Sequence, residues 1–156
     1  MSSETIVNAL FLISAVIAAG ILINAIFPAI YRTSETFGKT THDADLKMRT
    51  DFKFVNMYAK NPEARIWLKN TGSARIARGE LESSDLFIGA VGDFERVSLA
   101  GNFTIEGQIP VNNFWNPGET LTISLQSAKI PSRKEEVYCS LVLPNGVQRS
   151  GNFPAY

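Results

Sequence analysis

Residue types that do chemistry are thinly spread along this sequence of 156 residues. It holds one histidine, His42, with Asp43 and Asp45 beside it, and one cysteine, Cys139. His42 and the two aspartates are of the kind that ligate divalent metals, yet one imidazole in a polar stretch is ordinarily solvated. Cys139 sits on the apolar side of an alternating segment, where burial as a structural residue is expected over a reactive thiol. Asp85, Asp93 and Glu95 could gather around a cation, but their spacing matches no calcium-binding loop. A Ser/His/Asp or Cys/His nucleophile would have to recruit the lone His42, and no glycine-rich phosphate loop is present. The expectation is no catalytic set, no metal, no cofactor and no enzymatic activity.

Two further sites concern surfaces. Asn102-Phe103-Thr104 fits the N-glycosylation acceptor and falls beside the turn Ala100-Gly101-Asn102. Phe114 and Trp115 precede the turn Asn116-Pro117-Gly118; they either pack into the end of a core or present an aromatic contact to a partner.

The element that organises the chain is residues 5–31, TIVNALFLISAVIAAGILINAIFPAIY, which contain no charge. As an α-helix this run reaches about 40 Å, more than the ~30 Å hydrocarbon core of a bilayer. Its apolar residues lie on every side of the helical wheel, so no face is reserved for water, unlike a surface helix of a soluble domain. A cleaved signal peptide needs a basic start and a shorter run; here Glu4 precedes a long one, so the segment is expected to be retained. Asn8, Ser14, Gly20 and Asn24 could form a helix–helix contact, since small and polar residues promote packing in lipid, or be incidental. Pro28 predicts a kink rather than a stop. In residues 32–50, Phe37, Thr41, Ala44 and Met48 recur at spacings that let the helix continue as an amphipathic stalk.

Beyond residue 50 the period changes from helical to alternating. Leu121, Ile123 and Leu125 share one face of the clearest strand, residues 120–126, and Val137, Cys139, Leu141 and Leu143 share one face of residues 136–143. Residues 52–58, 64–69, 86–89, 94–99 and 103–109 are further candidates, separated by turns such as Asn61-Pro62 and Pro144-Asn145-Gly146. The predicted fold class is therefore α+β: one long N-terminal transmembrane and stalk helix in residues 1–50, then an antiparallel β-sandwich in residues 51–156. Fifteen basic and fifteen acidic residues balance to zero net charge. With no basic stripe, nucleic-acid binding is excluded as an expectation. A single cysteine excludes an internal disulfide framework and a multi-cysteine zinc site.

A long apolar helix at the N-terminus followed by a small β-sandwich is the plan of archaeal type IV pilin-like and archaellin-like proteins. Within that superfamily the chain resembles the archaellum protein G (FlaG) family. The resemblance rests on SSETIVNALFLISAVIAAGILINAIFPAIY (2–31), MRTDFKFVNMYA (48–59), IWLKNTGSARIA (66–77), SSDLFIG (83–89), GDFERV (92–97), WNPGETLTI (115–123) and LVLPNGVQRSGNF (141–153). It implies a structural role in the stationary part of the archaellum motor, beside the paralogous archaellum protein F. It also implies a sandwich outside the cell membrane, where the pair holds the S-layer protein. The alternative is a pilin-like or archaellin-like filament subunit whose helices form the filament core. Filament subunits carry a basic leader ending in glycine, and none precedes Ser2, which favours the G-type expectation. Arg32 and Lys39 follow the helix, so the positive-inside tendency alone would put the sandwich in the cytoplasm; the resemblance implies the opposite side. In pilin-like proteins a glutamate at the start of the apolar run helps subunits align. Glu4 is in that place, with favourable interaction with the helix dipole as the simpler reading. Glu4, Asn8, Gly20 and Asn24 are thus the candidate self-association residues, in an expected homo-oligomer, and Asn102 the candidate glycan acceptor.

Overall fold

The computed structural model describes residues 2–108, 111–132 and 134–156. The chain divides into two compact units, Met1–Asp43 and Ala44–Tyr156.

Helix α1 spans Ser2–Arg49, with Pro28 inside it. It is long and apolar enough to cross a membrane. Five of its hydroxyls are absorbed by its own backbone: Ser14 Oγ donates to the Leu10 carbonyl at 2.8 Å, and Thr33, Thr36, Thr40 and Thr41 each donate to the carbonyl four residues back. Such a bond lets a hydroxyl enter an apolar medium without a partner from another chain. The polar half continues as helix through Gly38, with Glu35 and Lys39 paired at 2.8 Å one turn apart.

The second unit is a β-sandwich. Its strands are β1 (Phe52–Lys60), β2 (Glu63–Asn70), β3 (Ile76–Ala77), β4 (Asp85–Ala90), β5 (Asp93–Ser98), β6 (Phe103–Glu106), β7 (Phe114–Trp115), β8 (Thr120–Gln126), β9 (Glu136–Val142) and β10 (Gln148–Pro154). A short helix α2, Arg78–Glu82, follows β3. Among the described residues two four-stranded antiparallel sheets form, in the orders β1-β2-β8-β6 and β10-β9-β4-β5, with β3 and β7 as a small pair.

Register follows from the period-2 pattern, because a slip by one residue would turn each apolar side chain outward. In β2 and β8, Ala64, Ile66 and Leu68 lie opposite Leu125, Ile123 and Leu121, and all six are buried. In the other sheet Leu86 and Ile88 of β4 lie opposite Leu141 and Cys139 of β9, again buried. Each fully buried Leu or Ile contributes about 1.5–3 kcal/mol from removal of apolar surface from water. The edge strand β1 carries a bulge between Phe54 and Asn56 that leaves Val55 61% exposed, a device that discourages another strand from pairing there. Tyr156 N–H also donates to the Ala59 carbonyl of β1 at 2.8 Å.

The expected strands are present with small changes of boundary. The strand expected over 103–109 leaves the sheet after Glu106; Ile109 lies outside the described residues. The strand expected over 94–99 is β5, with Leu99 buried just beyond its end. Strand β10 was absent from the alternating pattern because it is an edge strand with Phe153 as its one buried residue. Strands β3 and β7 have two residues each, too short to show any period.

Candidate interaction surfaces

The chemistry-bearing residues are scattered by the fold. Two of the three acidic residues are neutralised locally: Arg96 bonds Asp85, and Lys129 Nζ reaches both carboxylate oxygens of Asp93 at 2.7 and 2.8 Å. Among the described residues no three His, Cys, Asp or Glu side chains come together as a metal site. His42 is on the exposed polar part of α1, and Asp45 lies 3.6 Å from Arg49 one turn along.

Cys139 is fully buried between the sheets, and burial pushes its thiol up to about 12. The thiolate is the reactive species, so the folded protein is expected to take up no maleimide at pH 8. The same protein in denaturant should take up one. Mass spectrometry after a short exposure reads both states.

At the end of the sandwich bearing β7, Trp115 is fully buried. Its Nε1–H donates to the Glu119 carbonyl at 2.9 Å, and its ring lies 6.2 Å from that of Phe52. Of the two readings of this residue, core packing is the one observed. Phe114 is half-buried under the Arg75 guanidinium, 4.4 Å from the ring centre. Behind them lies a polar cluster that sequence reasoning did not find. Buried Asn70 Nδ2 donates to the carbonyls of Ala74 at 3.0 Å and Trp115 at 3.1 Å, while its Oδ1 accepts from Gly72 N–H.

The Glu119 carboxylate accepts from Asn116 N–H at 2.9 Å, Asn116 Nδ2 at 2.9 Å and Gln108 Nε2 at 2.8 Å. Desolvation raises its pKa, but the side-chain and backbone hydrogen bonds of Asn116 and the amide of Gln108 outweigh it, so the net shift is downward. Because the folded value is below the ordinary 4.5, the stabilisation is complete above pH 4.5 and is lost as pH falls through the lower, folded value. Glu119→Gln should therefore be less stable than the parent at pH 7 and converge with it in acid. Thermal unfolding from pH 7 down to pH 3 checks this.

The junction between α1 and the sandwich is built from the last helical turn. Two of the carbonyls that a helix end leaves unpaired find partners here. Arg49 C=O accepts from Ser73 N–H at 2.9 Å and Ala74 N–H at 3.0 Å, and Leu46 C=O accepts from Thr50 N–H and Oγ1. Asp51 Oδ1 takes the Arg149 guanidinium at 2.7 Å, and Asn145 Nδ2 reaches Thr50 Oγ1 at 3.0 Å. Gly72 closes over this junction: a Cβ there would lie 2.4 Å from Arg49 O and 2.5 Å from Asp51 N. No pattern in the sequence announces it, since the approach is between backbones more than twenty residues apart.

Of the expected helix contacts, Glu4, Asn8 and Asn24 are exposed on α1. Asn8 and Asn24 make no side-chain hydrogen bond among the described residues. At about 100° per residue, Glu4 and Asn8 share one face, whereas Gly20 and Asn24 share a face about 160° away. One neighbouring helix cannot meet both pairs.

On the β1-β2-β8-β6 sheet a groove of about 780 Å³ is lined by Tyr58, Arg65, Trp67, Asn102, Ser124 and Gln126. Trp67 is half-buried, and Tyr58, 38% exposed, is held against Tyr156 with ring centres 5.3 Å apart.

Known proteins share this plan. The sequence pattern of the family described as archaeal-type flagellin matches residues 2–153. The chain is similar to the archaellum periplasmic stator protein FlaG from Sulfolobus acidocaldarius, with a TM-score of 0.52 and 21% identity over 67% of this chain and 99% of that one. It is similar to the archaellum periplasmic stator protein complex FlaF and FlaG from the same organism, with a TM-score of 0.54 and 20% identity over 65% and 87% of the respective chains. It is also similar to the archaeal flagellum of Methanospirillum hungatei strain JF1, with a TM-score of 0.68 and 14% identity over 93% and 89%. The structural likenesses speak for a shared fold, and the match along residues 2–153 gives the lineage: the chain belongs to the archaeal-type flagellin family and is an archaellum-related structural protein.

Proposed function

We propose that this chain is a non-enzymatic, stator-type component of the archaellum. In this reading α1 anchors it in the archaeal cell membrane as a single-pass helix, and the β-sandwich faces the extracellular side. Residues 1–50 serve as anchor and stalk and residues 51–156 as the holding domain. The partner is the S-layer protein, with the paralogous archaellum protein F beside it, and S-layer binding supports motility. A filament driven from the membrane needs a stationary reference, or torque would turn the motor's base instead. The observation that carries the reading is the likeness of 67% of this chain to nearly the whole FlaG stator chain, 99% of it. The junction at Arg49, Asp51 and Gly72 supports it, because a load-bearing anchor needs its helix end bonded to the domain that holds on.

A second reading is a filament subunit. The similarity to the archaeal flagellum extends over helix and sandwich together. The two pairs of small or polar residues on opposite faces of α1, Glu4 with Asn8 and Gly20 with Asn24, suit a helix with neighbours on more than one side, as in a filament core. Shearing filaments from native cells and quantifying the chain in filament and membrane fractions separates the readings. The stator reading expects a small amount confined to membranes, and a deletion strain that makes filament subunits but does not swim. Abundance in sheared filaments, or normal swimming of the deletion strain, would overturn it.

A further inference from the structure

We propose that Asn102 is N-glycosylated and that its glycan lies along the groove formed by Tyr58, Arg65, Trp67, Ser124 and Gln126; this rests on the outward orientation proposed for the sandwich. Asn102 is both the acceptor of the Asn-Phe-Thr sequence and part of the groove's own lining. It sits in the turn between β5 and β6, where β6 pairs with β8 only as far as Ile123. Ser124–Gln126 of β8 therefore have no β6 partner, and the groove opens over that end. Asn102 is fixed there by three bonds. Its N–H donates to Leu99 C=O, its C=O accepts from Ser124 N–H, and its Nδ2 donates to Ser98 C=O, each at 2.9 Å. Thr104, the residue that completes the acceptor, is exposed on the strand at the edge of the sheet.

The amide chemistry is compatible with this anchoring. A primary amide carries two N–H donors. In the transfer, Asn102 Nδ2 attacks the anomeric carbon of a lipid-phosphate-linked oligosaccharide. The bond from that carbon to the phosphate oxygen breaks, the lipid phosphate leaves with the electron pair, and Nδ2 gives one proton to a base of the membrane oligosaccharyltransferase that carries out the transfer. The remaining N–H keeps the bond to Ser98, so the sugar leaves the turn intact and starts at the groove's edge.

The groove has the chemistry that a sugar chain uses. The C–H faces of a pyranose pack on aromatic rings, here Trp67 and Tyr58, and the hydroxyls take hydrogen bonds from Arg65, Ser124 and Gln126. Tyr58 is already held by Tyr156, so little freedom is lost when a sugar packs on it. The volume of about 780 Å³ falls in the range of sites that hold small organic ligands. A sandwich carrying a sugar chain on this face would also be shielded from edge pairing at the adjacent end of β8.

The test uses the full chain purified from membranes of the native archaeal host. Intact mass should exceed the chain's own mass by whole sugar residues. The excess should vanish in both Asn102→Gln and Thr104→Ala and persist in Thr104→Ser. Acrylamide quenching of tryptophan emission then reads the groove, because Trp115 is fully buried and Trp67 is not. Quenching should be weaker in the glycosylated chain than in Thr104→Ala, which keeps Asn102 and its turn. Protease shaving of intact cells reports orientation independently. A sandwich that is shaved yet carries no sugar overturns the glycan proposal alone. A sandwich that is protected overturns the outward reading and the proposal with it. A glycosylated chain whose Trp67 is quenched as strongly as in Thr104→Ala overturns the assignment of the groove.

Discussion

Gly72→Ala is expected to lower the unfolding temperature of the sandwich by about 10–20 °C, for a cost of about 3 kcal/mol. The added Cβ would stand 2.4 Å from Arg49 O and 2.5 Å from Asp51 N. Both are backbone atoms, so no side chain can rotate away. The loop must lift, and the bonds from Gly72 N–H to Asp51 C=O and from Ser73 and Ala74 N–H to Arg49 C=O lengthen with it. The end of α1 then loses its partners. A useful control is Gly79→Ala, in the short helix α2, where a Cβ meets nothing within 4 Å and alanine is the better helix former by about 1 kcal/mol. Thermal unfolding followed by circular dichroism should show opposite signs for the two variants. Equal small effects would mean that the junction relaxes freely. Under the proposed stator role, cells carrying Gly72→Ala should swim poorly even where the protein is still made and reaches the membrane.

Trp115→Ala is expected to cost about 3–5 kcal/mol, the range for removing a fully buried aromatic side chain. The ring is wholly enclosed, packs beside Phe52 and sits on β7 opposite Ile76 of β3. Its loss opens a void at the end of the sandwich. The Asn70 amide, which donates to the Trp115 carbonyl, would be displaced as that segment settles into the space. Trp115→Phe keeps most of the volume and loses the bond to the Glu119 carbonyl, so it should cost about 1–2 kcal/mol. That carbonyl retains the Asn70 N–H at 3.1 Å, which keeps the smaller substitution mild. Urea unfolding followed by circular dichroism measures both, since fluorescence would change with the substitution itself. An alanine variant no less stable than the phenylalanine variant would show that the ring's volume contributes little.

These two positions differ in how visible they are beforehand. Trp115, before an Asn-Pro-Gly turn, is legible as an aromatic residue needing a place, with core and partner both open. The turn is also legible: Gly118 has φ +84°, the left-handed geometry that the third position of a type II turn requires. Gly72 is legible only as a turn glycine. Its constraint comes from Arg49 and Asp51 crossing beneath it, a contact made by the folding of distant segments. Glu119 is similar. One carboxylate in a polar stretch carries no signal, and its shift arises because Asn116 and Gln108 converge on it from opposite sides of β7.

Amino-acid order alone accounts for the long apolar helix, the change to alternating periodicity after residue 50 and the inward faces of β8 and β9. These depend on local period and solvent preference, which each segment carries by itself. It also accounts for Asn102 as an acceptor sequence. Pairing order, the closure of β1 by Tyr156, the neutralisation of Asp85 and Asp93, the junction under Gly72 and the meeting of Asn102 with Trp67 and Tyr58 were decided only in the folded chain. Each of these brings together groups far apart in sequence. Their proximity follows from which strands pair and how the sheets stack, and no local pattern encodes that.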